Sequence, residues 1–154
     1  MNLKSLNISY CNRIDDNSII YLSNLKYLTA LDITNCTNIT SSKGIYNLKL
    51  ITNMQKLLIG NINIRSKDLK SVTCLNDLIT LALDNCNIMN SHLIHLTNNI
   101  INLSLNQNNQ INESNLFALV DTNKKLCKLV VNESLKSTRI INILNNRLIH
   151  NQIK

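Results

Sequence analysis

LKSLNISYC (3–11), LTALDITNC (28–36), MQKLLIGNI (54–62), LITLALDNC (78–86), IINLSLNQN (100–108) and LCKLVVNES (126–134) all read apolar-x-x-Leu-x-apolar-x-x, ending in Cys, Ile, Asn or Ser. They start at 3, 28, 54, 78, 100 and 126, so successive units are 22 to 26 residues apart. A period of that length marks a stack of similar units, each too small to bury its own apolar face. The shared Leu and the apolar residue two positions later fall on one side of an extended chain, which predicts a short strand in every unit.

A second register follows each of the first five strands and played no part in aligning them. It comprises an Ile, a helix-opening residue two later, and apolar residues five and eight later. The first unit has Ile14, Asp16, Ile19 and Leu22; the third Ile64, Ser66, Leu69 and Val72; the fourth Ile88, Asn90, Leu93 and Leu96. The fifth has Ile111, Glu113, Leu116 and Leu119, with Ser114 as an alternative opener. The second, Ile39, Ser41, Ile45 and Leu48, needs one extra residue near Gly44. Asp, Ser and Asn accept hydrogen bonds from the free N–H groups that open a helix. Apolar residues three apart then turn one helix face inward.

These residues resemble the leucine-rich-repeat family, in particular its cysteine-containing subclass, whose unit runs LxxLxLxxCxxI into an Asp-led helix. LKSLNISYCNRIDDNSIIYLSN (3–24) follows that pattern throughout, and the resemblance spans about residues 3 to 134. Ile62, Asn108 and Ser134 depart from it where Cys is expected. The resemblance implies an α/β solenoid: a curved right-handed stack, with a parallel sheet on the concave side and short helices on the convex side. Six repeats would occupy 1–134. A C-terminal capping helix would occupy 135–154, opened by Ser137 or Thr138, with Ile140, Leu144 and Leu148 on one face. In that geometry Cys11 and Cys36 would be stacked neighbours separated from Cys86 by Ile62, their thiols turned inward towards backbone groups. In the family such repeats often follow an F-box, which docks onto a ubiquitin ligase; no segment here is long enough to be one. The uncovered edge of the first strand would be capped by its own polar residues, by another copy or by an upstream domain.

Composition narrows the class. At 154 residues and 44% hydrophobic content the chain is long and apolar enough for one folded domain. That content is mostly Leu, Ile and Val, with no Trp, no Pro and a single Phe, which suits a core of small repeated layers. The abundance of Asn, Ile and Lys fits an AT-rich genome of the kind found in some protists and large DNA viruses. No apolar run reaches signal-peptide or membrane-helix length, so a cytoplasmic protein is expected, in the host cytoplasm if viral. The five cysteines form no CxxC pair, and their odd number favours reduced, buried thiols over a disulfide framework.

The net charge of +7 is concentrated at one end, where Lys124, Lys125, Lys128, Lys136, Arg139, Arg147 and Lys154 face Glu133 alone. A basic patch of Lys124, Lys125, Lys136, Arg139 and Arg147 would attract phosphate or an acidic protein. It has no interleaved aromatics for stacking bases, so nucleic acid is the second choice of partner. The first is a protein, held on the implied concave face by Tyr10, Asp32, Asn35, Lys56, Asn61, Asp84, Asn85, Asn106, Gln107 and Lys128. Leu58, Thr80, Ala82, Asn102, Ser104 and Val130 come to the same face. No catalytic residue, cofactor or metal site is assigned. His92 and His95 lie near Cys74 and Cys86 in sequence, but Cys86 should point into the core. The chain has no glycine-rich phosphate loop, HExxH or GxSxG. A non-enzymatic interaction module is therefore expected, with self-association through the first strand's edge as a third reading.

Overall fold

The computed structural model describes residues 2–96 and 99–152; Lys154 of the basic end lies outside them. Six three-residue strands, β1 (Ser5–Asn7), β2 (Ala30–Asp32), β3 (Lys56–Leu58), β4 (Thr80–Ala82), β5 (Asn102–Ser104) and β6 (Lys128–Val130), form one sheet in chain order. Every neighbouring pair is parallel and in register with the repeat, so Leu6, Leu31, Leu57, Leu81, Leu103 and Leu129 form one row. The middle four are buried, as are Ile33, Ile59, Leu83 and Leu105 two positions on. These rows meet the helical side of each unit in one continuous apolar core.

That side carries α1 (Asp16–Leu22), a π-helical turn at Ser41–Ile45, a 3-10 turn at Leu48–Leu50, α2 (Ser66–Val72), α3 (Asn90–Leu93) and α4 (Glu113–Thr122). The inward apolar residues of the second to fifth units are buried, from Ile39, Ile45 and Leu48 to Ile111, Leu116 and Leu119. The extra residue near Gly44 becomes the π turn, closed by a bond from Ile45 N–H to the Thr40 carbonyl at 3.1 Å. One added residue widens one turn, and the next inward residue still reaches the core.

The helix-opening side chains work differently from the sequence expectation. Asp16, Ser41, Ser66, Asn90 and Glu113 are the first helical residues, not the caps, and several reach into the next unit. Asp16 accepts from Thr40 N–H and Thr40 Oγ1, both at 2.7 Å; Ser41 Oγ accepts from Arg65 N–H at 2.9 Å; Asn90 Oδ1 accepts from Asn112 N–H at 3.0 Å. Side-chain capping within a helix comes from Asp15, whose carboxylate accepts from Ser18 N–H at 3.0 Å, and from Asn112, which accepts from Asn115 N–H at 2.9 Å. Each capping acceptor that reaches across also ties two units together.

Past β6 the register ends in a 3-10 turn (Glu133–Leu135) and then α5 (Thr138–Gln152). Ser137 Oγ accepts from Ile140 N–H at 3.4 Å. Ile140 is buried and Leu144 half-buried, but Leu148 is exposed, so the packed face of α5 is shorter than its spacing suggests. Cys36, Cys86 and Cys127 are buried free thiols, whereas Cys11 and Cys74 are exposed, contrary to the expectation of uniformly buried cysteines.

Candidate functional site

The outer face of the sheet is built from the two strand positions that flank the buried leucines. One registered row is Ser5, Ala30, Lys56, Thr80, Asn102 and Lys128; the other is Asn7, Asp32, Leu58, Ala82, Ser104 and Val130. Side-chain size varies along these rows. Lys56 and Leu58 make a ridge on β3, Lys128 and Val130 another on β6, and the short side chains of β4 and β5 lie between them. The result is an open trough of about 330 Å³ whose floor includes Thr80, Ala82, Asn102 and Ser104. A smaller hollow of about 120 Å³ lies on the other side of the β3 ridge, over Ala30.

The ten residues nominated for this face divide into groups with different roles. Tyr10, Asn35, Asn61, Asn85 and Gln107 all have positive φ, between 52° and 62°. They stand at the equivalent turn of five successive units, just after the strand, where the backbone must enter the left-handed region. Asn tolerates that region better than most residues. The amides therefore have a conformational reason to be there, and they also bond between units: Asn85 Nδ2 donates to Asn61 Oδ1 at 2.5 Å. Asn87, two residues beyond Asn85, is left-handed as well.

The acidic residues are occupied within the fold. Asp32 Oδ1 accepts from Thr34 N–H at 3.0 Å, as Asn7 Oδ1 accepts from Ser9 N–H at 2.9 Å. Asp84 Oδ1 reaches the next unit, accepting from Ser104 Oγ at 2.6 Å and Asn106 N–H at 2.8 Å. Lys56 and Lys128 are different: both are exposed, and neither side chain makes an ion pair or hydrogen bond with a described residue.

The basic C-terminal patch is tied down. Arg147 donates to the carbonyls of Val120 (2.8 Å), Asn123 (2.8 Å) and Leu126 (3.1 Å), staying half-buried as a brace between α5 and the end of α4. The Arg139 guanidinium lies 3.6 Å from the Phe117 ring centroid. Lys124 pairs with Asp121 at 3.0 Å, holding that carboxyl below its usual pKa. Lys136 pairs with Glu133, and Lys125 donates to Asn99 Oδ1 at 2.6 Å. Lys124, Arg147 and Arg139 all lie near enough to act on the Asp121 carboxyl, while Lys125 and Lys136 are drawn into separate contacts.

Sequence reasoning missed Asn108. It is 1% exposed, and its Oδ1 accepts from Cys86 N–H (3.1 Å) and Ile88 N–H (2.8 Å). Its Nδ2 donates to the carbonyls of Leu83 (2.8 Å) and Leu105 (2.9 Å). The thiols at the same repeat position make the first of those inter-unit bonds: Cys36 Sγ donates to the Ile8 carbonyl at 3.0 Å and Cys86 Sγ to the Ile59 carbonyl at 2.6 Å. Burial pushes the Cys86 thiol up to about 12 and the Cys36 thiol upward too. His92 is also buried; its Nδ1 accepts from Met89 N–H at 2.9 Å.

Among the described residues no group of three or more His, Cys, Asp or Glu side chains is placed to hold a metal ion. No described helix is long and apolar enough to cross a membrane.

No family model and no curated protein matches the chain. Among solved structures it is similar to a tropomodulin C-terminal domain from Caenorhabditis elegans. That match covers 98% of this chain and 85% of the other at 15% identity, with a TM-score of 0.53. The fold is leucine-rich-repeat-like. At that identity the likeness speaks to fold alone. Within a leucine-rich-repeat-like fold the six registered strands put the trough on the broad surface that remains once the core and helices are accounted for.

Proposed function

We propose that this chain is a non-enzymatic protein-interaction module, a leucine-rich-repeat solenoid that receives a partner protein on the outer face of its sheet. The trough between the β3 and β6 ridges carries this reading. It has a floor of small side chains, two lysines that make no ion pair or hydrogen bond with a described residue, and apolar surface at Val130, a mixture suited to a protein surface. Side chains with catalytic chemistry support the reading by their placement: Cys86 and His92 are buried away from the trough, and the acids on the face are hydrogen-bonded into the scaffold.

The narrower form, an adaptor or substrate receptor in a ubiquitin-linked pathway, draws on the family resemblance and predicts co-purification with ubiquitin-ligase subunits. The nucleic-acid reading has less support, because the cations it needs are engaged at the C-terminal end.

The test is site-specific photo-crosslinking in native extract. A photoreactive residue at Ala82, in the trough, should capture a discrete partner; the same residue at Lys70, on α2, should not. Capture from Lys70 and none from Ala82 would move the interface to the helical side.

A further inference from the structure

Independently of the trough, we infer that the C-terminal end of the stack takes up an extended segment of another protein as a seventh strand, laid along the free edge of β6 over an apolar groove beside α5. The strand edge fixes the shape of this ligand. β6 pairs with β5 alone. In earlier units the residue two after the inward leucine donates its N–H to the next unit: Ile33 to the Leu58 carbonyl at 3.0 Å, Ile59 to Ala82 at 2.8 Å and Leu105 to Val130 at 2.8 Å. Val131 holds that position in the sixth unit, and its N–H bonds to no described residue. The backbone groups of Lys128 and Val130 face β5, so those of Leu129 between them face the open edge. One more strand satisfies groups so arranged.

The groove fixes the side chain. Leu129, Ile140, Ile141, Leu144 and Leu148 help to line a hollow of about 250 Å³ along that edge. That exceeds the ~150 Å³ that accommodates a benzene ring. Ile141 and Leu148 are 42% and 43% exposed, an apolar stretch of α5 that the repeats leave uncovered. Residues paired across two strands share a face of the sheet, as Leu103 and Leu129 do. The added residue opposite Leu129 therefore turns into the hollow, and its neighbour opposite Lys128 turns outward beside that ammonium group.

Charge decides whose segment it is. Between residues 124 and 152 six Lys and Arg face Glu133 alone. Lys128 and Lys136 line the groove and no acid does; Lys136 is paired with Glu133, whereas Lys128 makes no ion pair or hydrogen bond with a described residue. A second copy joined edge to edge would set two such basic ends against each other. A foreign segment with an acid next to its apolar residue is drawn in instead.

The experiment is to pan a phage-displayed random peptide library on the purified full chain, measure the enriched peptides by fluorescence anisotropy, and follow amide hydrogen exchange by NMR with and without a saturating peptide. Enriched sequences should place Asp or Glu directly beside Leu, Ile, Val or Phe, and the bound peptide should slow exchange at the Leu129 and Val131 amides. Ile141→Ser should weaken binding about tenfold, as expected for losing part of one buried apolar contact. Lys128→Gln should weaken it roughly threefold, as for one exposed charge contact. Ala82→Arg, in the trough, should have no effect, and thermal melts establish that each variant folds.

Peptides that leave exchange at Leu129 and Val131 unchanged, or that are indifferent to Ile141→Ser, overturn the inference. So does a library that yields no binder, or binders without the acid. Peptides blocked by Ala82→Arg would place the ligand in the trough, overturning this site while supporting the sheet-face reading. A chain that is dimeric in solution and made monomeric by Ile141→Ser would make a second copy the occupant and overturn the inference too.

Discussion

Asn108 and Tyr10, at adjacent repeat positions, each show how a position can be filled by residues of different chemistry. Asn108 stands where other units have Cys, and its amide satisfies two N–H groups and two carbonyls inside the core. Asn108→Ala leaves these four groups without that partner and should cost at least about 4 kcal/mol, at one to three per orphaned buried group. Asn108→Cys should cost less, because a thiol there can still donate to the Leu83 carbonyl as Cys86 does to Ile59. Urea denaturation of the two variants checks the order. Tyr10 is the opposite case, a left-handed residue with φ 62° and a ring 73% exposed. Its ring contributes little packing while its Cβ is strained. Tyr10→Asn should stabilise by about 1 kcal/mol and raise Tm by about 2–4 °C in calorimetry.

At the scale of elements, stability depends on how each helical turn meets the next unit. The π turn at Ser41–Ile45 needs Gly44 because a Cβ there would collide with Ile39 Cγ2 and Asp16 Oδ1. Asp16 is the residue that accepts from Thr40, so Gly44→Ala disturbs the turn and the inter-unit tie together. A loss of roughly 1–3 kcal/mol is expected, the range for overpacking a filled site, again read by denaturation. Helix α3 depends on a titratable group. Burial lowers the His92 pKa, and the bond from Met89 N–H to Nδ1 requires that nitrogen unprotonated. The unfolded chain, with an ordinary His pKa of ~6.5, then binds more protons than the folded one in mildly acidic solution. Stability should be flat above that pH and fall as pH drops through it towards the lower folded value. His92→Asn should flatten that part of the curve; an unchanged slope would assign the acid sensitivity elsewhere.

Across the whole molecule four of the five thiols report on the integrity of the stack. Cys11 and Cys74 are exposed and should react with a thiol reagent such as DTNB in the native state. Cys36 and Cys86 are buried, hydrogen-bonded to carbonyls, and held protonated by burial. They should react only as fast as the chain opens, so their labelling should track global unfolding in urea; fast labelling in water would show local opening instead. The six strands, their order and the inward leucines were legible in the sequence because a repeat imposes the same physical solution on every unit. Even the inserted residue near Gly44 could be located, although not the π turn that absorbs it. The candidate surface was only partly legible. Its rows follow from the alternation of side chains along a strand, which placed Lys56, Ala82 and Lys128 on the outer face. What each residue does there depends on neighbours a whole unit away. An Asn in a repeat looks the same in sequence whether it holds a left-handed turn, like Asn85, bonds inside the core, like Asn108, or faces solvent. The charge excess at the C-terminal end was visible as composition, yet the contacts of Arg147 and Arg139 with α4 arise only when α5 folds back over it. Local periodicity therefore determined the leucine-rich-repeat-like fold by itself, since burying each unit's apolar stripe leaves little choice but stacking. Tertiary structure decided which polar groups remain free for a partner, because side-chain hydrogen bonds join residues about twenty or more positions apart.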